Sequence, residues 1–359
     1  MDVFYARVLR PLFILQQPDN AHTTMIRALA VLDAVPFVAR LLSGHTPQTP
    51  VTAGGVNLPS RVMIAAGLVK GRGFEDEKSA FEASKRSNII PGWRSIPLLC
   101  GAVEFGSYTR YPRIGNSGVV MWRDPPTRST QNRVGLRNPG ALAAAAFLSK
   151  RRIPGVFGIS VATSPGEADP HVQAQHVAES ITLFLESGVK PAWFTVNLSC
   201  PNTEDDPHAG QTGLLADSVC KSAVAAANGI PVWVKVGPDL SHEQYDALSE
   251  AFQNAGIRAI AATNTLAAPV PDTTMTAGLA GGRLYDRALA TVLHLHALRE
   301  RRGYSFDIIG CGGIMDGESL RAYTDAGAAA AQIWSALVYR GPFVARHINH
   351  EFVTIQERH

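Results

Sequence analysis

The stretch Trp193-Phe194-Thr195-Val196-Asn197-Leu198-Ser199-Cys200-Pro201-Asn202 carries the decisive pattern of this chain. A short apolar run rich in β-formers reads as a buried strand. It gives way at once to two amides, a hydroxyl and a thiol, and Pro201 stops further pairing. Polar groups at the end of a buried strand cost free energy unless they are paired, so their density there points to a ligand or a reaction.

The same pattern recurs outward from this segment. Candidate strands fall at 61–66, 99–105, 155–161, 192–198, 231–236, 257–263, 306–311 and 328–334. Helical spacing lies between most of them, at 139–149, 170–187, 214–228, 241–255, 284–301 and 316–326. In 170–187, Val172, Val177, Ile181, Phe184 and Leu185 mark one helix face. Eight strands alternating with helices predict an α/β fold of the (β/α)8 TIM-barrel type, with a doubly wound sheet as the alternative. The segment 71–98 is polar and reads as an irregular excursion after the first strand.

Length and composition agree with one large domain: 359 residues, 46% hydrophobic. A net charge of +3 without a long basic run argues against nucleic acid as partner. Cys100, Cys200, Cys220 and Cys311 are far apart, which fits reduced thiols in the cytoplasm and no zinc site. No signal pattern or eighteen-residue apolar run is evident. Residues 1–45 form a separate helical segment ahead of a barrel at 46–359. Apolar residues recur at helical spacing in 3–15 and 25–42, with Pro18-Asp19-Asn20 supplying a helix start. Two readings stand for this segment: a simple cap, or an apolar hood for a lipophilic substrate or a membrane surface.

In a barrel, chemistry gathers at the C-terminal ends of the strands. The first strand ends in Ala66, Gly67 and, at the rim, Lys70; the second in Ser107; the third in Ser160. A polar loop at 132–140 carries Asn132, Gly135 and Leu136. Lys235 lies within the apolar strand Val232-Trp233-Val234-Lys235-Val236, where a charge needs a partner. That partner is an internal ion pair or an electron-rich cofactor. The sixth strand ends in Thr263, Asn264 and Thr265. Glycine-rich turns at 278–282, with Gly281, and at 310–313, with Gly313, precede Trp334 and Ser335. Such turns before a helix match a barrel phosphate site. They suit FMN or a sugar phosphate equally well.

Taken in order, Ala-Ala-Gly-Leu-x-Lys, Asn-x-x-Gly-Leu, Asn-Leu-Ser-Cys-Pro-Asn, Val-Lys-Val, Thr-Asn-Thr, Gly-Leu-x-Gly, Gly-x-Gly-Gly-Ile and Gly-Ala-(x)4-Gln make the chain resemble the dihydroorotate dehydrogenases over nearly its whole length. The resemblance implies FMN held by Ala66, Gly67, Lys70, Ser107, Ser160, Asn197, Lys235, Thr263, Gly281, Gly313, Trp334 and Ser335. It implies dihydroorotate held by Lys70, Asn132, Gly135, Leu136, Asn197, Asn202, Asn264 and Thr265, with Cys200 as base. A thiol of reference pKa about 8.5 must be partly ionised for that role. Pro-Asp-x-Ala-His at 18–22 resembles the quinone-using, membrane-associated class 2 enzymes, peripheral on the inner face of the cell membrane. Cys200 is instead the class 1 choice. The resemblance leaves the oligomeric state open. Val69, Arg137, Ser160 and Trp334 depart from the family pattern. Arg137, Val69 and Ser160 motivate an alternative: an FMN oxidoreductase acting on another cyclic or unsaturated substrate. A flavin-binding homologue without turnover is the third possibility.

Overall fold

The computed structural model describes residues 5, 7, 10–43, 49–198 and 213–358. A hairpin of β1 (Val51–Ala53) and β2 (Val56–Leu58) precedes β3 (Val62–Ile64) and β4 (Val103–Tyr108). Two further short strands follow, β5 (Met121–Asp124) and β6 (Ser129–Asn132). Then come β7 (Phe157–Ala162), β8 (Trp193–Asn197), β9 (Val232–Val236) and β10 (Ala259–Ala262). The chain continues through β11 (Leu266–Pro269), β12 (Thr276–Gly281), β13 (Asp307–Cys311) and β14 (Ala330–Ile333).

Strands β3, β4, β7, β8, β9, β10, β13 and β14 pair side by side into a closed barrel, and every pair is parallel. Closure excludes the doubly wound sheet. All eight expected strands fall on barrel strands, and the predicted helices recur at Gly140–Leu148, Pro170–Glu186, Gly213–Ala226, His242–Ala255, Tyr285–Arg302 and Gly317–Asp325. Strands β8, β9, β10 and β14 are buried along their full length, as parallel strands between a packed lumen and an outer helix layer must be.

The N-terminal end of the barrel is plugged. Trp193 and Trp233, at the starts of β8 and β9, stack with centroids 4.5 Å apart. Ala53, Val56 and Leu58 of the first hairpin pack with them, and Trp233 Nε1 donates to Gly54 O at 3.0 Å. A Cβ at Gly54 would fall 2.2 Å from that indole nitrogen, so only glycine fits the turn.

Three expectations need correction. The segment 71–98 is not irregular: it contains helices Glu77–Arg86 and Ser95–Cys100. The first starts at Asp76, whose carboxylate accepts from Ser79 N. The second occupies the first residues of the expected strand 99–105, which begins only at Val103 after Gly101 (φ 87°) turns the chain. The helical stretch 25–42 is two helices, Pro18–Ala34 and Pro36–Ser43, because Pro36 has no N–H to continue the first. The glycine-rich segment 278–282 is mostly strand β12, not a turn. It joins β11, β6 and β5 in a four-stranded antiparallel sheet, with Leu279 opposite Gln131.

Candidate active site

A cavity of about 1170 Å³ opens at the C-terminal ends of the barrel strands. The four-stranded sheet forms part of its wall, contributing Met121, Thr130, Asn132 and Gly281. Most residues singled out in the sequence meet here. Ala66, Gly67 and Lys70 enter from the loop after β3; Asn132 ends β6, and Gly135 and Leu136 enter from the loop that follows it. Ser107, Asn197, Lys235, Thr263, Asn264, Thr265, Gly281, Gly313, Trp334 and Ser335 complete the set. Ser160 does not reach the wall. It is fully buried behind Ser107, with the two hydroxyls 2.7 Å apart. Cys200 and Asn202 lie outside the described residues.

The polar groups are wired to one another. Asn197 Nδ2 donates to Ser107 Oγ at 3.1 Å, and Asn264 Nδ2 donates to Asn197 Oδ1 at 3.3 Å. This chain runs from β10 across β8 to β4 and fixes amide orientations before any ligand arrives. Lys235 is 6% exposed; its Nζ donates to Gln332 Oε1 at 3.1 Å and reaches Cys311 Sγ at 3.5 Å. Thr130 and Ser335 hydroxyls pair at 2.9 Å. Arg137, next to Gly135 and Leu136 in the chain, donates through Nε to Ile114 O and is not part of the wall.

A second cavity of about 890 Å³ adjoins the first and is lined almost wholly by apolar side chains. Tyr5, Phe13, Met25 and Leu29 come from the N-terminal segment, and Leu68, Ile96, Leu337 and Pro342 from the barrel. His22, Met121, Thr130 and Trp334 line both cavities. Burial, reinforced by the cations Lys70 and Arg137, lowers the His22 pKa to about 4, so the imidazole is neutral at neutral pH. His22 was legible in the sequence only as part of Pro-Asp-x-Ala-His; nothing placed it between two cavities.

The N-terminal helices are held to the barrel by polar bonds, several of them buried. Asp33, 4% exposed, accepts from Asn88 Nδ2, from the backbone N–H groups of Gly92, Arg94 and Ser95, and from Ser95 Oγ, at 2.7–3.1 Å. Arg123 of β5 donates to the carbonyls of Phe13 and Gln16 at the end of helix Arg10–Leu15.

The family model described as dihydroorotate dehydrogenase matches residues 94–355. The chain belongs to the dihydroorotate dehydrogenase family. Among curated relatives, "Dihydroorotate dehydrogenase (quinone)" of Bordetella avium is 30% identical over 93% of this chain and 93% of that protein. The protein of the same name from Coxiella burnetii is 27% identical over 98% and 97%. Crystal structures of DHODH from Eimeria tenella, one with ferulenol and one ligand-free, superpose with a TM-score of 0.73 at 20% identity. They cover 91% of this chain and 91% and 94% of theirs, and they bear out the barrel fold. The chain is therefore an oxidoreductase of this family.

The cavity fits the flavin that the family implies. Gly281 (φ 88°) and Gly313 (φ 70°) pack against each other: a Cβ on Gly281 would lie 2.4 Å from Arg128 O, and one on Gly313 2.9 Å from Gly281 O. With no side chain at either glycine, backbone lines that part of the cavity, an arrangement that suits a phosphate. Lys235, the amides and the hydroxyls supply donors for a flat polar ring, beside apolar Ala65 and Ile333.

Proposed function

We propose that the chain oxidises dihydroorotate to orotate with FMN in the barrel mouth and quinone as electron acceptor. The observation that carries this reading is the junction of the two cavities. A polar chamber ringed by amides and lysines shares His22, Met121, Thr130 and Trp334 with an apolar chamber built by the N-terminal helices.

Ala66, Gly67, Ser107, Asn197, Lys235, Thr263, Gly281, Gly313, Trp334 and Ser335 would hold the flavin, with Ser160 acting behind Ser107. Bound there, FMN supplies the acceptor for the hydride leaving C6 of the substrate and the donor for quinone. Lys70, Asn132, Asn197, Asn202, Asn264 and Thr265 would hold the substrate carboxylate and amides, with Gly135 and Leu136 closing the loop over them. Cys200 would take the C5 proton. Lys235 would offset negative charge as it develops on the reduced ring.

The N-terminal segment supports the quinone half. Leu15 is 84% exposed on the helix whose Phe13 lines the apolar cavity, and Phe37 (74%) and Leu41 (73%) are exposed on helix Pro36–Ser43, which follows the cavity-lining helix Pro18–Ala34. A lipid surface is the partner such a face suits, at the mouth of a chamber for a lipophilic acceptor. No described helix is long and apolar enough to cross a membrane. Residues 1–45 would thus act as a hood on the barrel.

The substitutions that motivated another substrate do not favour it. Val69 is fully buried in the core, Ser160 stands behind Ser107, and Arg137 is bound to a loop carbonyl. Of the four departures only Trp334 lines the cavity.

Purified protein given dihydroorotate and a short-chain quinone should form orotate, read by its ultraviolet absorbance; a protein that forms none refutes the substrate assignment. In the same assay Cys200→Ser should keep some turnover with its pH–rate profile displaced upward, since a hydroxyl is the weaker acid. An unchanged profile would count against Cys200 as base.

A further inference from the structure

We infer that Glu104 is a positioning residue that sets, through Gln332, how strongly Lys235 stabilises negative charge on the flavin. The inference rests on the reading of FMN in the barrel mouth.

Glu104 lies on β4 inside the barrel and is fully buried. Its Oε2 accepts from Trp193 Nε1 at 3.0 Å, from Thr195 Oγ1 at 2.5 Å and from Gln332 Nε2 at 3.1 Å. Gln332, on β14 and 1% exposed, accepts at its Oε1 from Lys235 Nζ at 3.1 Å. An ammonium can only donate, so the Gln332 amide has one permitted orientation: oxygen to Lys235, nitrogen to Glu104. One polarised amide therefore joins a buried carboxylate to the lysine that faces the cavity.

Glu104 Oε1 has no partner among the described residues. A carboxyl group with one bare oxygen is a costly way to fill a barrel lumen, and a neutral amide would satisfy the same three donors. What the amide would lack is charge. The carboxylate offsets the Lys235 cation inside the barrel, which tempers the lysine's pull on electrons at the flavin and holds the flavin potential down. Among the described residues, Cys311 Sγ also lies against the ammonium, 3.5 Å from Nζ.

Glu104→Gln isolates the charge. Its amide oxygen meets the three donors and its NH2 takes the place of the bare oxygen. Spectroelectrochemical titration of the FMN-loaded variant should show a raised midpoint potential. The expected size is about tenfold more reduced flavin at a fixed applied potential, or about 30 mV for a two-electron couple. A flavin-loaded variant whose potential is unmoved or lower overturns the inference. A wild-type protein that holds no flavin refutes the cofactor reading instead. If Glu104→Gln alone does not accumulate as folded protein, adding Lys235→Met should restore it, because both members of the buried pair are then neutral. Failure of the double variant to fold would also overturn the pairing.

Discussion

His22 stands between the two cavities, and its neutrality matters to both. The cations Lys70 and Arg137 nearby and the apolar walls oppose its protonation, which keeps charge out of the path towards the apolar chamber. The effect on stability has a definite sign. The folded-state pKa, about 4, lies below the ordinary 6.5, so from pH 6.5 downward the unfolded chain binds a proton that the folded chain refuses. Stability should fall across that window and level off below about pH 4. The loss is at most roughly 3 kcal/mol, less for the partial exposure of the ring. Urea unfolding at pH 7 and pH 5 should show a smaller drop for His22→Gln than for the parent chain. An identical drop would mean that other groups carry the dependence. Burial pushes the Cys100 thiol up to about 12 and raises that of Cys220, which suits packing and not proton transfer.

At the scale of elements, one carboxylate is a principal anchor of the N-terminal helices. Asp33 gathers five donors from residues 88–95, so Asp33→Ala would strand several of them in a buried seam. The cost is on the order of 3 kcal/mol, enough to loosen the hood without opening the barrel. Rapid-mixing kinetics should then show flavin reduction by dihydroorotate largely kept and reoxidation by quinone slowed several-fold. Equal losses in both half-reactions would remove the hood from the quinone step. The sequence announced these helices through apolar spacing, but not their anchor: Asp33 reads as a surface charge on its own helix, and its donors lie over fifty residues away. The four-stranded sheet was illegible for a similar reason. Its strands are only four to six residues long, and β12 contains Gly278 and Gly281, so local preference favoured a turn. Pairing with β6 and β11 overrode it.

For the whole molecule, the barrel was readable because its strands are short, continuous and apolar, and because polar residues mark where they stop. Asn197 and Thr263 could be placed at one end of one barrel from such endings alone, and Lys235 stood out as a charge inside an apolar strand. The partition into two cavities could not. It depends on the hood, the added sheet and the loop ending in Trp334 meeting above the barrel, contacts between segments over a hundred residues apart. On the proposed reading, that partition would separate a polar chamber for flavin and substrate from an apolar one for a lipophilic acceptor. Anaerobic titration of the purified protein with dihydroorotate, followed by flavin absorbance, tests it at its centre. Stoichiometric bleaching, reversed on adding quinone, is the predicted result; a bound flavin that stays oxidised through excess dihydroorotate would contradict it.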